Sequence, residues 1–172
     1  QFLDAALQGR GQATLEEALQ MTRLKSGGLG RFVTGFAARV AGADADGVAL
    51  FEQFGDDTFT LAQLLDDLRD AIAPGELSDL AQRKATLPVV FYGRAIDSPA
   101  PVDVMLSKVR CSTYESSGAP LYAAILAHAY LSRAEEDLFL LAQCGYAVGG
   151  LFRFLQSVDS GAGEALGAAR RN

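Results

Sequence analysis

Apolar residues recur at intervals of three and four along most of the chain, the spacing of helices that bury one face. Leu15, Ala18, Leu19 and Thr22 share one such face, and Phe32, Gly35, Phe36 and Arg39 to Val40 continue the same pattern. From Val48 the series Leu50, Phe51, Phe54, Thr58, Leu61, Leu64, Leu65 and Leu68 runs without proline to Ile72. It predicts one long helix, with Gly55 as the place where that helix can bend. Pro74-Gly75 stops it, since proline cannot continue the hydrogen-bond ladder and glycine permits a turn. A shorter helix is expected from about Pro88, and a loop at Ser98-Pro99-Ala100-Pro101. Helical spacing returns over Val102–Val109, Leu121–Leu131 and Glu135 to about Gln156. No segment shows the strict alternation of a half-buried strand. The prediction is an all-α protein whose tail, Ser160 to Asn172, frays.

Composition narrows the function classes. The chain has 172 residues, 49% of them hydrophobic and 21% charged, which fits one globular domain and excludes a disordered or fibrous chain. A net charge of −6 argues against a nucleic-acid binder, which would carry a clustered basic face. Cys111 and Cys144 are too few for a disulfide framework and read as free thiols of a reducing, cytoplasmic compartment. The longest uncharged apolar stretch, near Leu138 to Phe152, is shorter than the roughly 20 residues of a bilayer-spanning helix.

Three strings carry candidate chemistry. In Gln63-Leu64-Leu65-Asp66-Asp67-Leu68-Arg69-Asp70, Asp66 and Asp70 are one turn apart and share a helix face. Carboxylates crowded near a helix C-terminus oppose the helix dipole. A divalent cation relieves that repulsion, Mg²⁺ typically taking one or two carboxylates together with phosphate oxygens; a solvated acidic face in which Arg69 pairs a neighbour is the other reading. Lys25-Ser26-Gly27-Gly28 sets an ammonium and a hydroxyl beside glycines, where phosphate can approach, although it lacks the spacing of a Walker loop; it also suits a surface lysine before a helix break. Asp79 to Pro88 brings Arg83 and Lys84 soon after the acidic string, either as phosphate ligands or as ordinary loop charges. His128 is the only histidine, which excludes a multi-histidine zinc site, and no GxSxG or GxGxxG string occurs. Tyr122, Tyr130, Phe139, Phe152 and Phe154 read as core.

The order and spacing of these strings resemble the C-terminal half of the trans-isoprenyl diphosphate synthases, or polyprenyl synthetases. Gln1-Phe2-Leu3-Asp4 looks like that family's Gly-Gln-x-x-Asp segment without its glycine. Lys25-Ser26 matches its Lys-Thr, Ala62-Gln63 its Phe-Gln, and Asp66, Asp67 and Asp70 its second aspartate-rich motif. Asp79 to Pro88 matches Asp-Leu-x-x-Gly-Lys-x-Thr-x-Pro with Arg83 at the glycine position. The similarity covers most of residues 1 to 95.

The resemblance implies an isoprenoid-synthase-type helical bundle of which residues 1–172 form the C-terminal portion. It implies Mg²⁺ as cofactor, an allylic diphosphate and isopentenyl diphosphate as substrates, and a homodimer. By the same resemblance Asp66, Asp67 and Asp70 would bind metal, Lys25 and Lys84 would hold diphosphate oxygens, and Ser26 and Gln63 would steady an allylic cation. The family's first aspartate-rich motif has no counterpart here; Asp44-Ala45-Asp46 and Asp56-Asp57 are poor substitutes. A chain opening at Gln1 is therefore expected to be part of a longer protein or to meet its missing N-terminal half on another chain, and to be inactive alone. The short Asp70–Lys84 interval is closer to divergent members that prenylate a non-isoprenoid acceptor. A non-catalytic helical partner subunit and a plain helical interaction module are the remaining alternatives.

Overall fold

Thr14 starts the first helix, α1 (Leu15–Thr22), with a capping box: the Glu17 N–H donates to Thr14 Oγ1 at 3.1 Å, and the Thr14 N–H donates to Glu17 Oε2 at 2.8 Å. The computed structural model describes residues 13–72, 86–95, 114 and 116–169, with side chains for 13–70, 86–95, 114 and 116–160. α1 does not end at Thr22. A π-helical turn, Arg23–Gly27, leads directly into α2 (Gly28–Val40), and the backbone stays right-handed helical at both joins. The glycines after Lys25 thus mark a local widening of a helix, where a break was one expectation.

α2 closes on Gly42, at φ 81°, with the Gly42 N–H donating to Arg39 O at 3.1 Å and the Ala43 N–H to Ala38 O at 3.0 Å. This Schellman arrangement satisfies carbonyls the helix end leaves over, and only glycine takes that backbone conformation without strain. Asp44 then caps α3 (Ala45–Ile72), its Oδ1 accepting from the Gly47 N–H at 2.7 Å and from the Tyr146 hydroxyl at 3.2 Å. α4 (Leu87–Ala95), α5 (Ala119–Gln143) and α6 (Gly149–Ala169) follow. There is no strand among the described residues, and the molecule is all-α as its periodicity predicts.

α3 is the axis of the bundle, packed by α2 on one side and α5 on another, with α6 and α4 also touching it. Phe54, Leu61, Leu64 and Leu65 of α3 form the core with Leu87 and Val90 of α4 and with Tyr130, Leu138 and Leu141 of α5. At roughly 1.5–3 kcal/mol for each large apolar side chain removed from water, this row fixes the rotation of α3 about its own axis.

The structure differs from the pattern in several places. The face of Phe32 and Phe36 is not the packed face of α2: these rings are 67% and 59% exposed. The π turn meets α3 through Gly27 and α2 meets it through Gly30, Gly35 and Ala38, because the backbones come so close that a methyl group on Gly30 would collide with the Gly55 carbonyl. Thr34 Oγ1 strengthens this crossing by donating to Phe51 O at 2.6 Å. Gly55 therefore admits a neighbouring helix, and α3 continues through it. Second, no break separates Leu131 from Glu135; α5 is continuous there and stops instead at Gly145, at φ 87°, where the Tyr146 N–H donates to Leu141 O at 3.1 Å. The segment from Glu135 to Gln156 is thus two helices. Third, Phe139, Phe152 and Phe154 are largely exposed, whereas Tyr130 is buried and Tyr122 stacks on Phe91 with ring centroids 4.4 Å apart. α6 extends to Ala169, through most of the tail expected to fray.

Candidate active site

Burial of Leu61, Leu64, Leu65 and Leu68 turns the other side of α3 outward at its C-terminal end. Gln63, Asp66 and Asp70 lie on that side. Asp66 is exposed, Gln63 and Asp70 are half-buried, and Asp67 is only 6% exposed. The acidic string is therefore graded, from a carboxylate open to a ligand to one enclosed by protein.

The π turn reaches this end of α3. Ser26 Oγ donates to Gln63 Oε1 at 2.8 Å, and Gln63 Nε2 donates to Asp67 Oδ1 at 2.8 Å. Ionised carboxylate accepts only, so the amide nitrogen faces Asp67, its oxygen faces Ser26, and the serine must donate. The first of these bonds joins two strings that lie 37 residues apart in sequence, and the second continues one turn along the acidic string. Lys25, next to Ser26 on the same turn, is exposed.

Asp56 holds the turn from below. Its Oδ2 accepts from Arg23 Nη2 at 2.7 Å and from Arg31 Nη2 at 3.1 Å, so one buried carboxylate clasps the first residue of the widened turn and a residue of the helix that follows it. A methyl group on Gly27 would strike Asp56 Oδ1 and approach Thr60 Oγ1, which is why glycine follows Lys25-Ser26. The sequence signal for this clasp is an acidic pair inside the apolar run from Phe54 to Leu61, and Asp56-Asp57 is absorbed into structural ion pairs.

Asp57 faces the opposite way. It is fully buried, with Oδ2 accepting from Arg133 Nε of α5 at 3.0 Å. One turn along the antiparallel pair, Gln53 Nε2 donates to Asp137 Oδ1 at 2.9 Å. Asp57 Oδ1 and Asp137 Oδ2 are buried without a hydrogen-bond partner. Burial raises the Asp57 carboxyl pKa despite Arg133, and burial together with the charge of Asp57 pushes Asp137 up to about 7.

Other candidates fall elsewhere. Asp44 caps α3, and Asp46 lies in its first turn. His128 is exposed on α5, and Cys144 is a free, exposed thiol. Lys84, Arg83, Gln1 to Asp4, the Pro74-Gly75 stop, the loop at Ser98–Pro101, the helix over Val102–Val109, and Cys111 lie outside the described residues. Among the described residues no group of three or more Asp, Glu, His or Cys side chains converges to hold a metal ion unaided. Mg²⁺ needs no such cage where phosphate oxygens complete its shell, and the one-turn spacing of Asp66 and Asp70 suits that mode. No described helix is long and apolar enough to cross a membrane.

No family model matches the chain. Geranylgeranyl diphosphate synthase of Mycobacterium tuberculosis is 38% identical over 96 residues, which are 52% of this chain and 27% of that protein. Over that stretch the chain is homologous to a prenyl diphosphate synthase. The bundle agrees: a crystal structure of geranylgeranyl pyrophosphate synthase superposes with a TM-score of 0.78 over 94% of this chain and 55% of that one, at 18% identity. A geranylgeranyl pyrophosphate synthetase from Pyrococcus horikoshii gives 0.65 over 79% of this chain and 46% of that one, at 20% identity. At such identities the structural likeness is one of fold. The chain spans about a quarter of the length of the curated relative it matches and about half that of the two solved structures.

Proposed function

We propose that the chain is the C-terminal portion of a Mg²⁺-dependent trans-prenyltransferase that condenses an allylic diphosphate with isopentenyl diphosphate. The observation that carries the reading is the junction Ser26–Gln63–Asp67, where the lysine-serine, glutamine and aspartate strings meet at one end of α3. Asp66 and Asp70 would hold Mg²⁺, with Asp67 contributing directly or through water. Bound there, Mg²⁺ would neutralise charge developing on the departing diphosphate, usually the dominant barrier in such ionisation chemistry. Lys25 and Lys84 would add point charges to the diphosphate oxygens. Ser26 Oγ spends its proton on Gln63 and keeps its lone pairs, which suit it to face an allylic cation.

The bare stripe of Leu29, Phe32, Val33, Phe36 and Val40 on α2 agrees with a half-molecule, because a helix apolar on opposite faces is normally covered on both. The same stripe favours a second reading, a non-catalytic helical partner subunit that lends this surface to a catalytic chain. Turnover separates them. With a complementary N-terminal half bearing the other aspartate-rich motif, the wild-type chain should condense the two diphosphates, and alone it should not. Asp66→Ala should abolish turnover of the assembled enzyme. Unchanged turnover by Asp66→Ala in that complex would leave the partner reading standing.

A further inference from the structure

We infer that Gln63 is a positioning residue, which fixes the Asp67 carboxylate and ties the orientation of the acidic motif to the π turn that carries Lys25. The inference rests on the prenyltransferase reading and assigns a role within it. Both ends of the Gln63 amide are occupied. Oε1 takes the Ser26 proton at 2.8 Å and Nε2 reaches Asp67 Oδ1, one helical turn away, at 2.8 Å. Because the carboxylate can only accept, the order donor–amide–acceptor is forced along the whole relay. A side chain committed at both ends is poorly placed to turn toward a substrate, and well placed to stop Asp67 from rotating.

The relay has a mechanical consequence. Ser26 belongs to a turn clasped by Arg23 and Arg31 on Asp56, so its hydroxyl is presented from a fixed platform. Gln63 and Asp67 stand on α3, whose rotation is set by buried leucines. A bridge between two such rigid elements sets the separation between the lysine on one and the metal-binding carboxylates on the other. Groups that orient metal ligands through hydrogen bonds typically contribute about 10–100-fold in metal affinity.

The test is Mn²⁺ binding in the presence of inorganic pyrophosphate, read by electron paramagnetic resonance on the full 172-residue chain. Gln63→Met, which keeps length and removes the amide, should weaken Mn²⁺ by about 10–100-fold while leaving the melting temperature unchanged. Ser26→Ala should weaken it in the same direction, and Ser26→Thr, which keeps the hydroxyl, should restore it. The double variant Ser26→Ala/Gln63→Met should be no weaker than Gln63→Met alone, since both changes cut one relay. Wild-type affinity in Gln63→Met, or additive losses in the double variant, overturns the positioning role. Absence of any Mn²⁺ binding by the wild-type chain overturns the prenyltransferase reading, and this inference with it.

Discussion

Two acidic pairs on one helix do opposite work. Asp56 and Asp57 lie in the middle of α3, buried and engaged by Arg23, Arg31 and Arg133; Asp66 and Asp70, near its C-terminal end, lie on the side the leucine core leaves outward. The residue type is the same, so the difference comes from what the bundle brings against each. Carboxylates in the core require cations from other helices and become clasps. On the proposed reading, those at the outward end are where a ligand from solution binds, and Asp66 there is exposed. On that reading stability and chemistry are separated by about three turns along a single element, and substitutions in the two regions should have separable effects.

The largest effect is expected where the clasp is cut. Arg133→Met removes the cation that hydrogen-bonds fully buried Asp57, and stranding a buried charge of this kind costs about 3–5 kcal/mol. The urea midpoint at pH 7 should fall accordingly, and the loss should shrink in acid as the carboxyl takes up a proton. A smaller effect concerns pH. Asp137 binds its proton up to about pH 7 in the folded protein, against the ordinary 3.8 unfolded, so the native state holds more protons between those values. Its contribution to stability is present below about pH 4 and is lost as pH rises through 7. Asp137→Asn, which still accepts from Gln53, should flatten that slope in urea midpoints measured from pH 4.5 to 8. Smallest is the folding effect of Asp66→Asn, within about 0.5 kcal/mol for an exposed side chain. A large loss of stability there would erase the contrast between the two regions.

The sequence was informative where one helix face carries large apolar residues. α3 is legible from Leu50 to Leu68 because bulky side chains repeat on its packed face, and the three chemical strings are legible from their order. α2 misleads for the complementary reason. Its packed face consists of glycine and alanine, so a pattern that weights bulk assigns Phe32 and Phe36 to the core when close backbone contact at Gly30 and Gly55 decides the matter. The clasps were hidden because their partners are 25, 33 and 76 residues away in sequence. The end of α5 at Gly145 depends on a left-handed backbone conformation, and glycine permits that without requiring it.

The central claim is that the outward end of α3 and the Lys25 turn form one site for magnesium and pyrophosphate. A crystal of the chain soaked in both tests it most directly. The account predicts Mg²⁺ on Asp66 and Asp70, with a pyrophosphate oxygen completing its shell and the Lys25 ammonium turned onto the same pyrophosphate. Pyrophosphate and metal bound elsewhere, or an Asp66 that stays solvated while Lys25 points away, would contradict it.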